Sequence, residues 1–226
     1  MLFILFILTS CNNGLIVPET EPGTFTYIGY SRANDGYLQT FGSGVTYSVA
    51  HNLSYADKVD TSSYYGFIGQ DFPECHCHYI LLRSFVYFDT SSIPSDAIIT
   101  SATLSLYFIN DAYVSTDFDI VIRNGQLVYP HEPLEANDFY YLYYSGNGGS
   151  VNTNGLIFSS YTNMEMNETG KNWIQKGSGA ITKFALFGSR DINKTVPTGE
   201  ELIAICLSEE GMGYKPKLVV NYTLSE

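Results

Sequence analysis

The segment Ile99–Phe108 alternates strictly. Ala102, Leu104, Leu106 and Phe108 fall on one side of an extended chain, and Thr103, Ser105 and Tyr107 fall on the other. A period of two is the signature of a strand with one packed and one wetted face, and it excludes an amphipathic helix at the same place. Phe118, Ile120 and Ile122 repeat the pattern, and further strands are expected at 80–88, 182–187, 201–207 and 217–223. Asn34-Asp-Gly, Asn124-Gly and Gly146-Asn-Gly-Gly supply turns between such runs. The one helical candidate is short, around Asn167 to Lys176, with Trp173 as its anchor. Short strands, regular turns and almost no helix define an all-β chain, either sandwich or barrel.

Composition agrees. The 226 residues include 19 Tyr, 14 Phe and 20 Gly, and only 15% are charged. Strand-forming aromatics and turn-forming glycines dominate, and 45% hydrophobic residues suffice for a core. The formal charge of −12 repels phosphate backbones and anionic membrane surfaces, so nucleic acid is not an expected partner. That acidity suits a soluble exported protein. Sequons at Asn52, Asn167, Asn193 and Asn221 would mark exposed glycosylation sites if the chain passes a glycosylating compartment.

The amino-terminal segment divides from the rest. Leu2, Phe3, Ile4, Leu5, Phe6, Ile7 and Leu8 form an unbroken apolar run, far short of the about 20 residues that span a bilayer. A secretion signal would have such a centre, although no Lys or Arg precedes this one. Leu8-Thr-Ser-Cys11 also has the form of a lipoprotein cleavage box, which would leave Cys11 lipidated. If the run is retained, seven apolar side chains need burial, each worth roughly 1.5–3 kcal/mol. Residues 12–24 carry four Gly or Pro breaks and read as a linker. The expected organisation is therefore an apolar segment (1–11), a linker (12–24) and one β domain (25–226).

The block Arg83-Ser-Phe-Val-Tyr-Phe-Asp-Thr-Ser-Ser-Ile-Pro, followed by the Ala102-Thr-Leu strand, resembles the DNRLRE-type family of secreted β-sandwich modules. The closing Lys215-Pro-Lys-Leu-Val-Val-Asn-Tyr is similar to that family's last strand. The resemblance implies a single jelly-roll-like antiparallel sandwich, akin to carbohydrate-binding modules, with an extended N-terminal arm and at most one short helix. The residues themselves have scaffold roles: Asp89-Thr-Ser-Ser ties down a turn, and Pro94 fixes the backbone between strands. A scaffold does not define a function.

Glu74-Cys-His-Cys-His78 offers thiolates and imidazoles, but in an extended chain Cys75 and Cys77 point away from His76 and His78. A disulfide from Cys75 or Cys77 to Cys206, buried structural thiols, or a metal site would each account for these cysteines, the disulfide most simply in an oxidising compartment. Asp117 and Asp119 share one face if extended, yet nothing marks them as a hydrolytic pair. No nucleophile elbow, zinc-protease or phosphate-loop motif occurs, so neither catalytic residue, metal nor cofactor is expected. In Phe139-Tyr-Tyr-Leu-Tyr-Tyr144, alternation would send Tyr141 and Tyr143 to one face and Tyr140 and Tyr144 to the other. Such a face could stack on glycans or simply pack across strands.

Two functions follow as expectations. One is a non-enzymatic structural subunit of an extracellular, glycosylated filament, polymerising head to tail as the apolar run inserts into the next copy. The other is a secreted or lipid-anchored module that binds carbohydrate. Both place the protein at the cell surface or beyond, with no membrane span.

Overall fold

The computed structural model describes residues 15–18, 23–73, 78–109, 113–125, 127–209 and 213–224. The fold is all-β and antiparallel. Its strands are β1 (Leu15–Pro18), β2 (Thr24–Tyr30), β3 (Gly36–Ser43), β4 (Lys58–Asp60), β5 (Tyr65–Asp71), β6 (His78–Asp89) and β7 (Ala97–Phe108). They continue as β8 (Tyr113–Val114), β9 (Asp119–Arg123), β10 (Ser150–Asn152), β11 (Ser160–Glu165), β12 (Ile181–Gly188), β13 (Glu201–Cys206) and β14 (Lys217–Leu224). Three one-turn helices interrupt them: α1 (Tyr47–His51), α2 (Glu168–Lys171) and α3 (Ser189–Ile192). Only α2 coincides with the helix expected from sequence, so the expectation of at most one helix is corrected. None of the described helices is long and apolar enough to cross a membrane.

Hydrogen bonds join all 14 strands into one sheet with the path β1-β2-β14-β7-β13-β5-β6-β12-β9-β10. β11 adds to β7, and β3 with β4 adds to β6. The packed face of β7 holds as read: Ala102, Leu104, Leu106 and Phe108 are buried and share a core with Leu218 and Val220 of β14, while Ser105, expected on the wetted face, is buried as well. The same core takes Val86 and Phe88 of β6, Ile120 and Ile122 of β9, and Phe184 and Leu186 of β12. The sheet therefore folds back over its own inner face. The hydroxyl of Tyr27 on β2 donates to the Asp89 carbonyl at 2.7 Å, which ties β2 to the end of β6, a strand it does not pair with.

β6 differs from β7 because both its faces are covered. Residues Leu81 to Phe88 are all buried. Their odd-numbered members Leu81, Phe85 and Tyr87 form a second core with Ala185 and Phe187 of β12, Tyr47 and Ala50 of α1, and Leu134, Phe139 and Tyr144. Continuous burial on two faces explains the nearly unbroken apolar run of this strand.

Part of the segment expected as a linker forms a strand. Leu15–Pro18 pairs antiparallel with β2, in the register Leu15↔Ile28 to Pro18↔Phe25, and forms one end of the sheet path. The Leu15-Ile-Val run carries the β-branched residues that favour a strand, and the flanking Gly14 and Pro18 hid it among breakers.

Candidate functional site

Alternation along β6 puts Arg83 on the same face as Leu81, Phe85 and Tyr87, inside the second core and fully buried. A charge there needs a full set of partners. Its Nε and Nη2 donate to Asp191 Oδ2 and Oδ1 at 2.8 and 2.9 Å, a bidentate fork, and Nη1 donates to the Phe139 carbonyl. The guanidinium lies over the rings of Phe139 and Phe187, 4.0 and 4.7 Å from their centroids. Planar stacking and a bidentate carboxylate are what guanidinium chemistry suits and an ammonium does not.

Asp191 sits in α3 and is shared. His51, the last residue of α1, brings Nε2 to 3.0 Å from Asp191 Oδ1 and 2.9 Å from its carbonyl oxygen. Burial alone would raise the Asp191 carboxyl. The charge of Arg83 and the hydrogen bonds from His51 and Arg83 overcome that and hold it well below the ordinary carboxylate range. A second chain of bonds runs alongside. The Tyr47 hydroxyl donates to Gln70 Oε1 at 2.6 Å, Gln70 Nε2 donates to Glu201 Oε2 at 2.9 Å, and Arg190 Nε donates to the same oxygen at 2.7 Å. Together these bonds tie α1, β5, β6, α3 and β13. Both Asp191 oxygens are committed to Arg83, and His51 is 1% exposed, so the geometry is that of an internal brace. A water-sized cavity of about 20 Å³ lies beside it, lined by His51, Arg123, Tyr141, Phe187, Asp191 and Ile192.

The tyrosine stretch is corrected from strand to two 3-10 turns, Ala136–Phe139 and Tyr141–Tyr143. A three-residue period replaces the alternation. Phe139 and Tyr144 are buried, and the Tyr144 hydroxyl donates to the Asp138 carbonyl at 2.9 Å. Tyr143 stacks face to face on Tyr129, with centroids 3.8 Å apart, and Tyr140 meets Tyr143 edge-on. Tyr141 lies between the His51 ring at 4.6 Å and Lys194 at 4.5 Å. The four tyrosines mostly engage protein neighbours, and the open side chains nearby are aliphatic: Leu127 at 74%, Val128 at 56% and Leu142 at 60% exposure. Beside them a hollow of about 30 Å³ is lined by Asn124, Leu127, Trp173, Gln175, Ile181 and Lys183.

Among the sequons, Asn52 and Asn193 are exposed at the C-termini of α1 and α3. Asn167 is exposed and caps α2, its Oδ1 accepting from Gly170 N at 3.0 Å while its Nδ2 donates to the Asn147 carbonyl. Asn221 is held inside the sheet, accepting from Thr26 Oγ1 at 2.7 Å and donating to Ser101 Oγ at 2.9 Å. Its amide nitrogen, the atom a glycan would need, is thus engaged. Asp117 and Asp119 do not share a strand face: Asp117 precedes β9, and the two bond separately to Thr153 and Asn152. Cys206 is buried at the end of β13, whereas Cys75, Cys77, Cys11 and Leu2–Leu8 lie outside the described residues. No cluster of three or more His, Cys, Asp or Glu side chains placed to hold a metal occurs among the described residues.

Sequence reasoning placed Arg83 only as part of a scaffold motif. A lone charge inside an otherwise apolar strand was the available signal for a buried ion pair. No protein-family model and no curated protein matches the chain, so the resemblance noted above rests on its own residues.

Proposed function

We propose that the chain is a non-enzymatic structural subunit of the cell exterior that assembles head to tail, its apolar segment Leu2–Leu8 pairing with the sheet of a neighbouring copy. The observation that carries this reading is β1. The chain immediately after the apolar segment is already used as a sheet strand, at an end of the strand path. An edge strand offers a row of unpaired backbone groups, the usual template for adding a strand from another chain. Six residues separate Leu8 from Leu15, and fully extended they reach about 20 Å, enough to pass between adjacent subunits. The ion pairs support a structural role, because the buried Arg83, Asp191 and Glu201 and the half-buried Arg190 are spent on internal bracing.

Negative-stain microscopy of the native material is expected to show filaments, and deletion of residues 1–12 is expected to leave dispersed monomers. Filaments that persist without those residues would overturn the strand-insertion mechanism.

A second reading, a lipid-anchored or secreted glycan-binding module beginning at Cys11, is favoured by the Trp173 hollow. An indole beside the side chains of Asn124, Gln175 and Lys183 is a surface on which a sugar ring could stack and hydrogen-bond. Trp173 is the sole tryptophan, so its fluorescence reports this site alone. Under this reading a panel of oligosaccharides is expected to include one that shifts the emission saturably, and Trp173→Ala is expected to lose that binding in calorimetry. A panel without effect removes the reading.

A further inference from the structure

Asp35 lies in the turn between β2 and β3 and is fully buried. Its Oδ2 accepts from Ser31 Oγ at 2.5 Å, and its Oδ1 accepts from Ser208 Oγ at 2.7 Å. The Ser208 backbone N–H donates to both oxygens, at 3.2 and 3.0 Å. Ser208 follows β13, so this one carboxyl joins segments 173 residues apart. The same turn also holds the approach to β14, through Ser31 N donating to the Pro216 carbonyl at 2.8 Å.

The charged surroundings are one-sided. Glu209 is its neighbour across Ser208: the Ser208 hydroxyl lies 2.9 Å from Glu209 Oε2 and 2.7 Å from Asp35 Oδ1, and its single hydrogen can serve only one of the two carboxyls at a time. Arg32, in the Asp35 turn, is directed to Glu132 at 3.5 Å. From β6, the Tyr87 phenol feels the Asp35 charge but donates its proton to the His131 carbonyl. Among the described residues no cation is paired with Asp35.

We propose that the buried Asp35 carboxyl, with no cation among the described residues paired to it and Ser208 bridging it to Glu209, holds a proton and acts as a pH-dependent latch between the β2–β3 turn and the end of β13, closed while that proton is held. Burial is the main reason the Asp35 carboxyl is pushed up from 3.8 to about 7; the hydrogen bonds from Ser31 and Ser208 oppose that shift, and the Glu209 charge adds to it. When the proton leaves to solvent, the Asp35 charge is left buried beside the like charge of the half-buried Glu209, and the latch loosens. The latch does not depend on how the protein assembles.

The test is a carboxyl-carbon NMR titration of Asp35 in the full chain, with thermal midpoints between pH 5 and 8 for the wild type, Asp35→Asn and Glu209→Gln. Asp35 is expected to titrate near neutrality, and Glu209→Gln to move that midpoint down by removing the repelling charge. The wild-type thermal midpoint should fall as pH rises, and Asp35→Asn should flatten the dependence. An Asp35 that titrates in the ordinary carboxylate range overturns the latch, as does an Asp35→Asn variant that keeps the wild-type slope. Should Asp35→Asn fail to fold, the titrations of the wild type and Glu209→Gln decide the question.

Discussion

Asp191→Asn is expected to lower the stability of the domain by about 3–5 kcal/mol, measured as a shift in the urea midpoint at unchanged slope. The argument is one of desolvation. Arg83 is buried with no route to water, and its two nitrogens that face Asp191 depend on a negative partner. An amide in the same place can accept only one of those bonds and carries no charge, so the guanidinium is left buried and uncompensated. Replacing both partners by apolar residues, Arg83→Met with Asp191→Leu, should recover part of the loss, because the pair's own desolvation cost disappears with it. Recovery is expected to be incomplete: the Phe139 carbonyl would lose its donor, and His51 Nε2 would lose the Asp191 carboxylate and keep only the main-chain carbonyl of that residue. The same pair sets an acid limit. The folded-state value of Asp191 lies below its unfolded value of 3.8, so its contribution is present above pH 3.8 and is lost as pH falls through the folded value. Asp35 works in the opposite sense, since its raised value stabilises the fold at low pH and ceases to do so as pH rises through about 7. A stability maximum on the acid side of neutrality follows from the two together.

The sequence disclosed strands of both kinds, β7 by its alternation and β6 as an apolar run at 80–88, but not what the second covered face of β6 encloses. In β7 the packed residues Ala102, Leu104, Leu106 and Phe108 were readable in advance, although Ser105 on the opposite face is buried too; β14 was readable as a strand. In β6 both faces are covered, so period two vanishes, and Arg83 looked like one residue of a motif when it is the centre of a network. Its partner could not be read at all, because Asp191 is 108 residues away and only the fold brings them together. The one-turn helices α1 and α3 are too short to imprint a helical period, and their apolar residues serve the second core. Phe139–Tyr144 misled for a different reason. Aromatic residues favour strands on average, but here burial of Phe139 and Tyr144 and the stacking of Tyr143 on Tyr129 set a tighter local geometry.

Gly69→Ala is expected to cost about 3 kcal/mol, the sum of backbone strain and local overpacking. Gly69 lies in β5 opposite Leu202 of β13 with φ +131, a conformation that side chains resist. A Cβ there would stand 2.0 Å from the Glu201 carbonyl oxygen, and that obstacle is backbone, which cannot rotate aside. The two strands would have to separate at the point where Gln70 reaches across to Glu201 and links it to Tyr47. The loss should therefore exceed the local strain and appear in hydrogen exchange as weakened protection along β5 and β13. Gly155→Ala is the control: it has no neighbour within 4 Å and no positive φ, and its effect should stay within about 0.5 kcal/mol. If the two substitutions proved equally mild, β5 and β13 could move apart freely, and the Tyr47–Gln70–Glu201 bonds would not be bracing the domain. A large, specific loss at Gly69 would show that the close approach of these strands is what holds the buried polar network in register.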